Sequence, residues 1–268
     1  ACDFHAALTL EEMRGEGHRP IAELIEIAAE RMERIEGGPD GVASFFDFPG
    51  TILASILAER FGLLGPSLEA VMKCEHKYWS RLEQKKVVAD HIPAFQAFDP
   101  YAEDVVENIQ LIPPFWIKPI KSFRSYLAFS IADELQFARV VDLCRKSAGE
   151  IMDPFQEILE TFEFPREWRE MKETFIAESP LTGAQCTCEG YAHEGKVVVY
   201  GVVDSIRSPD SSSFSRYEYP SRLPLEIQHR MFDVTRAAIQ QIGFHHGAFN
   251  IEFFYDQNSD NVWLLEVN

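Results

Sequence analysis

Glu252 and Glu266 stand in two alternating segments, Ala248 to Tyr255 and Val262 to Val267, which the polar stretch between them folds into a hairpin. With the turn centred near Ser259, Glu252 falls opposite Glu266 and Asn250 opposite Asn268, all on one face. Directly opposed carboxylates on paired strands have Cβ atoms about 4.5–5.5 Å apart and repel each other unless a cation or a proton lies between them. An oxygen-only set, with the Asn268 amide two residues beyond Glu266, selects a hard cation, magnesium or manganese. The alternative is that both glutamates lie on a solvated sheet face.

A second group is cationic. Phe115-Trp116-Ile117-Lys118-Pro119 reads as an apolar strand whose lysine, ahead of a proline that leaves the ladder, can present its ammonium to phosphate. The alternative is a strand-end lysine reaching water. Lys77, after Cys74-Glu75-His76 in a helical stretch, carries the same two readings. Beyond Pro119 the chain runs Ile120-Lys121-Ser122-Phe123-Arg124-Ser125 without glycine. Such a backbone does not readily make the positive-φ turns that wrap a phosphate, so side chains, Lys121 and Arg124 first, would supply the charge. The alternative is that both are solvated ends of a β-turn. Phe175 to Gly183 is a strand running into a proline-broken segment, which leaves backbone N–H and C=O groups beside apolar side chains. That surface suits the edge of a purine.

The elements that must position these residues follow from periodicity. Residues 21 to 36 are helical and stop at Gly37-Gly38-Pro39, Val42 to Phe46 reads as a short buried strand, and Ile52 to Arg60 as a helix, an α/β texture of the parallel-sheet kind. Helix is expected from Ser67 to about Gln84, over 102–108, over 132–145 and in pieces through 153–171. Strands are expected at 94–98, 126–129 and 174–178. Gln185 to Ala192 and Lys196 to Val203 alternate around the turn His193-Glu194-Gly195, and Leu225 to Ile242 is an amphipathic helix stopped at Gly243.

Composition narrows the function classes. A chain of 268 residues with 46% hydrophobic side chains buries a large core, and a formal charge of −18 repels nucleic acid and anionic lipid. A small polyphosphate differs, because a few local cations and metal ions hold it inside an acidic protein. Five scattered cysteines do not form a disulfide framework, and Cys186 and Cys188 read as strand residues of one face. No apolar run is long enough to span a bilayer and no signal peptide is recognisable, so a cytoplasmic protein is expected.

In order along the chain, a helical lysine (Lys77), a strand with Lys118-Pro119, a strand with Glu178 to Gly183, a strand from Gly247 to Glu252 and then Leu265-Glu266-Val267-Asn268 resemble the ATP-grasp superfamily, from about Asp40 to Asn268. The set looks most like the biotin carboxylase and dipeptide-ligase branches. The resemblance implies an α+β fold in which two lobes clamp ATP: residues 73–172 and 173–268, after a truncated α/β domain over 1–72. It further implies that Lys77 and Lys118 hold phosphates; Lys121, in the glycine-free loop where this chain departs from the family, is a phosphate candidate on its charge alone. Glu178, Ser179 and the segment to Leu181 would hold adenine, Gln185 would take the place of a ribose-binding glutamate, and Glu252, Glu266 and Asn268 would bind Mg2+, with Mn2+ possible.

The implied activity is Mg-ATP-dependent joining of a small carboxylate to an amine or thiol through an acyl phosphate. The rivals are a biotin-carboxylase-type carboxylation and a nucleotide-binding pseudoenzyme, with a homo-oligomer open. Asn250 stands where many members carry an arginine that stabilises the acyl phosphate; it and Arg124 are the candidate catalytic positions. The resemblance implies a Pro-Arg continuation after Asn268, so a fragment is expected.

Overall fold

The computed structural model describes residues 2–14, 19–122, 127–147, 149–171, 173–208 and 214–268. The first part is helical: α1 (Leu10–Met13), α2 (Ile21–Glu33), α3 (Gly50–Arg60) and α4 (Leu68–Glu75). Ile21, Leu24, Ile25, Ala28 and Met32 form the buried stripe of α2 and pack with Ile52, Leu53, Ile56 and Leu57 of α3. The strand expected over 42–46 is absent. Among the described residues before Ser67 there is no strand for it to pair with, and Phe45 is 90% exposed.

The long helix expected from Ser67 breaks at His76, whose ψ of 101° leaves the helical region, and α5 (Lys77–Val87) begins there. The buried His76 ring stacks on Trp79 at 3.6 Å, and its Nδ1 accepts the Trp79 N–H at 3.2 Å. The ring therefore caps α5 and fixes where Lys77 enters the helix. Burial holds this imidazole well below the usual histidine pKa.

Strands β1 (Phe95–Phe98), β2 (Phe115–Pro119), β3 (Phe129–Ile131) and β4 (Phe175–Glu178) form a four-stranded sheet in the order β1-β4-β2-β3, with every neighbour antiparallel. Between them lie α6 (Val105–Asn108), α7 (Glu134–Ser147), α8 (Gly149–Thr161) and α9 (Arg166–Arg169). Phe137, Val140, Val141 and Cys144 of α7 cover the sheet through Phe115, Ile117, Ile131 and Phe175. Phe155, Ile158 and Leu159 of α8 join the core of α2 and α3.

A second antiparallel sheet has the order β7-β6-β5-β8-β9, from β5 (Ala184–His193), β6 (Lys196–Arg207), β7 (Phe214–Glu218), β8 (Gly247–Asp256) and β9 (Asn261–Val267). β5 and β6 are joined by Glu194-Gly195, both at positive φ (51° and 76°), the two-residue turn that matches strand twist. Helix α10 (Leu225–Ile242), ended by Gly243 at φ 81°, lays Ile227, Met231, Val234, Ala238, Ile239 and Ile242 on Cys186, Cys188, Val202, Ile251, Phe253 and Leu264. The alternation of the strands turns Gln185, Thr187, Glu189, Asn250 and Glu252 to the other face. Burial raises the Cys188 thiol to about 12, so it is a packed, inert group rather than a thiolate. Among the described residues no helix is long and apolar enough to cross a membrane.

Candidate functional site

The hairpin of β8 and β9 sets Glu252 opposite Glu266, and Asn250 and Asn268 exchange backbone N–H···O bonds of 2.7 Å. Its turn, 257–260, is centred half a residue earlier than Ser259. Phe253 accordingly pairs Leu264, and a bulge at Leu265 restores the register before the glutamates are reached.

The two opposed carboxylates differ in their surroundings. Glu266 Oε1 lies 2.7 Å from Lys77 Nζ; burial pushes its pKa up, and the charges of Lys77 and Lys118 outweigh this and lower it. Glu252 accepts Gln185 Nε2 at 2.9 Å and Asn268 Nδ2 at 3.3 Å; burial and the charge of Glu266 raise its pKa. The cation that answers the repulsion in this structure is the Lys77 ammonium.

Lys77 Nζ also donates to the Ser122 carbonyl at 2.8 Å. Burial lowers its pKa, and Glu266 recovers part of the loss. On the first sheet, Lys118 Nζ lies 2.6 Å from Glu178 Oε2, and Arg81 Nε lies 2.5 Å from Oε1 of the same carboxylate. Burial would raise Glu178, yet Arg81 and Lys118 hold it at about 2.

Arg81 is a site residue that sequence reasoning missed. Its Nη1 donates to the Leu264 carbonyl at 3.1 Å and its Nη2 to the Leu265 carbonyl at 2.7 Å, at the bulge, so one guanidinium ties α5, β4 and β9 together. In the sequence it was one of several basic residues on a helix. The only available signal was its place one turn after Lys77 on the same helical face.

Lys77, Lys118, Glu178 and Glu266 thus line one cleft between the sheets, with Glu252 beside it. The free space there is about 10 Å3, room for about one water, because each cation is closed on a carboxylate. A larger cavity of about 270 Å3 lies next to it on the open face of the second sheet, reaching Asn250 and Glu252.

The remaining predicted residues fall around this cluster. Ser179 and Leu181 are on the connection between β4 and β5, which links the two sheets; Ser179 exchanges bonds with Ala94, its N–H donating at 2.9 Å and its hydroxyl accepting at 3.0 Å. Gly183 closes that connection at φ 117°, where a Cβ would strike the Tyr255 carbonyl. Gln185 bridges Glu252 and Arg207, its Oε1 accepting Nη2 at 2.8 Å. The Asn250 amide is held by Glu189, not by a group in the cleft.

Lys121 is not the solvated end of a β-turn. Its side chain is 2% exposed, ion-paired with Glu75, 3.8 Å from Asp47 and over the Phe48 ring at 5.0 Å. The loop's first residues are pinned by Ile120, which donates to Thr174 and accepts from the Lys77 N–H, so the lysine is turned inward to the helices. Arg124 lies outside the described residues.

Among the described residues, no group of three or more His, Cys, Asp or Glu side chains is arranged to hold a metal. Glu252 and Glu266 form a smaller, all-carboxylate pair, with the Asn268 amide beside them turning its Nδ2 to Glu252. That fits a magnesium ion, which takes one or two protein carboxylates and completes its shell with phosphate and water.

A family model described as the ATP-grasp domain matches residues 111–268. Three solved structures share the fold. The L-amino acid ligase from Bacillus licheniformis aligns at TM-score 0.67 and 19% identity, over 93% of this chain and 54% of that one. The N5-carboxyaminoimidazole synthase from Aspergillus clavatus, in complex with ADP and 5-aminoimidazole ribonucleotide, gives 0.63 and 15%, over 92% and 56%. The biotin carboxylase from Campylobacter jejuni, a beta-gamma-ATP complex, gives 0.63 and 17%, over 95% and 53%. The chain spans little more than half the length of each. No curated protein matches it in sequence.

Proposed function

The chain belongs to the ATP-grasp family, and from that premise we propose that it binds Mg-ATP between its two sheets as part of a ligase that joins a carboxylate to an amine. The observation that carries this reading is the cluster of Lys77, Lys118, Glu178, Glu252 and Glu266 contributed by α5 and by both sheets.

In this reading Lys77 and Lys118 give up Glu266 and Glu178 for phosphate oxygens. Both lysines are buried or nearly so, where an ammonium interacts with an anion more strongly than in water. Glu252 and Glu266, with the Asn268 amide turned from its present contact to offer Oδ1, would hold magnesium, which when bound neutralises phosphate charge and aligns the transferring group. Release of Glu266 from Lys77 frees its carboxylate for the cation. The connection from Ser179 to Leu181, with Gln185 beyond it, offers the nucleoside its polar edges. Phosphoryl transfer to a carboxylate requires little covalent chemistry from the protein, so positioning and neutralisation by these side chains account for their contribution.

A second reading, nucleotide binding without turnover, is favoured by Lys121 and Asn250, which are engaged by Glu75 and Glu189 instead of facing the cleft. Phosphate release from ATP, measured against a library of carboxylates and amines, separates the two. Release that requires one carboxylate and one amine supports the ligase. Binding of Mg-ATP with no release under any pairing supports the second reading and removes the first.

A further inference from the structure

The cavity of about 270 Å3 on the open face of the second sheet carries two carboxylates, Glu189 and Glu252, and no lysine, arginine or histidine among its described lining residues. Its wall includes two aromatic rings, Phe214 and Tyr217, 5.4 Å apart. The Arg207 guanidinium lies 4.6 Å over the Phe214 ring, so this wall already accepts a cation on one face.

Ser205 adds an independent feature. It is 5% exposed, it lines the cavity, and its hydroxyl meets no hydrogen-bond partner among the described residues. A buried hydroxyl left without a partner is costly, and such a group in a cavity wall is explained by a ligand atom that completes it. Glu189 accepts both the Thr187 hydroxyl, at 2.8 Å, and the Asn250 amide through Oε1, so Oε2 is the atom a ligand would meet.

We propose that this cavity seats the amine partner: a small primary amine entering as its ammonium, received by Glu189 and the Ser205 hydroxyl oxygen, with its carbon skeleton against Phe214 and Tyr217. The assignment rests on the ligase reading for its place in the reaction, and on the cavity alone for its chemistry. The volume lies just below the range of about 300–1,000 Å3 usual for small-molecule sites, which suits a single small ligand. A carboxylate ligand would face the Glu189 carboxylate, and a bare metal ion would leave the aromatic wall without a role.

The test is a titration of the chain with 2-phenylethylamine, 2-phenylethanol and 3-phenylpropionate, followed by backbone amide shifts on β5, β6 and β8. The amine should bind about tenfold more tightly than the alcohol, as a charge-assisted hydrogen bond provides, and the carboxylate most weakly. Glu189→Gln should abolish the preference. Ser205→Ala should weaken the amine while leaving the melting temperature equal or higher, since it deletes an unpartnered group. Equal binding of amine and alcohol, preference for the carboxylate, or no binding overturns the proposal. A thermal shift with Mg-ATP on the same wild-type chain is the separate arm. Its absence beside an intact amine preference overturns the ATP reading alone, and its presence without amine preference overturns the amine seat alone.

Discussion

Arg81 Nε stands 2.5 Å from Glu178 Oε1 while the same guanidinium donates to the Leu264 and Leu265 carbonyls. The strand that carries Glu178 and the bulge that sets the register of Glu266 are therefore referred to one side chain of α5. Both partners are nearly inaccessible, at 3% and 5% side-chain exposure. A buried pair of this kind contributes little over an apolar replacement, but loss of one member is severe.

Arg81→Ala is accordingly expected to destabilise the chain by about 3–5 kcal/mol in urea unfolding. It leaves Glu178 with Lys118 alone and strips two bulge carbonyls of their donor. Arg81→Lys should recover only part, because an ammonium cannot span the fork of acceptors. A loss below about 1 kcal/mol, the range of exposed pairs, would contradict this placement.

Acid should act through Glu178. Its folded pKa, about 2, lies below the ordinary value of 4.5, so its stabilising contribution is complete above the unfolded value and is lost as pH falls through the folded one. The stability gap between wild type and Glu178→Gln should narrow as pH is lowered from 4.5 toward 2. Urea midpoints for both proteins along that series provide the check, and a constant gap would show that the carboxylate is not held down by Arg81 and Lys118.

Lys121 and Glu75 form a second buried pair, between the first sheet's exit loop and α4. Lys121→Met should lower stability by about 3 kcal/mol, with partial recovery on adding Glu75→Gln, since the remaining charge is then removed. It should change the dissociation constants for ATP and AMP by the same factor. A selective loss of ATP would instead return Lys121 to the phosphates.

Glu252 is expected to exchange stability for function. Burial and Glu266 both disfavour its charge. Glu252→Gln should therefore leave the ligand-free protein as stable or about 1 kcal/mol more stable, while reducing the stabilisation given by magnesium and ATP together. Melting curves with and without Mg-ATP distinguish this from a plain packing role, which would lower stability in both.

The final hairpin was legible because alternation and a polar turn determine which residues share a face. The turn estimate was half a residue off, and the glutamates still met because Leu265 bulges out, which no pattern of residue types announces. The α10 boundaries were equally legible from apolar spacing and Gly243. Val42 to Phe46 failed because an apolar run is a strand only where a partner offers a ladder, and its neighbours are helices. Arg81 and Lys121 were illegible for a related reason. Whether a basic side chain reaches water or a buried carboxylate depends on Glu178 and Glu75, which lie far along the chain or on another element. Lys77, Lys118, Glu178, Glu252 and Glu266 could be named in advance as neighbours, but not that Lys77 closes on Glu266 and Lys118 on Glu178.

The measurement that bears most directly on the central claim is the thermal shift produced by Mg-ATP in wild type and in Lys118→Ala, each against its own ligand-free baseline. A ligand that binds only the folded state adds about 2.7 kcal/mol at a hundredfold excess over its dissociation constant. The wild-type melting temperature should rise with Mg-ATP and fall back when EDTA removes the metal, and Lys118→Ala should lose most of the rise. An equal shift in both proteins, or none in wild type, would contradict a nucleotide site built on Lys118 and the opposed glutamates.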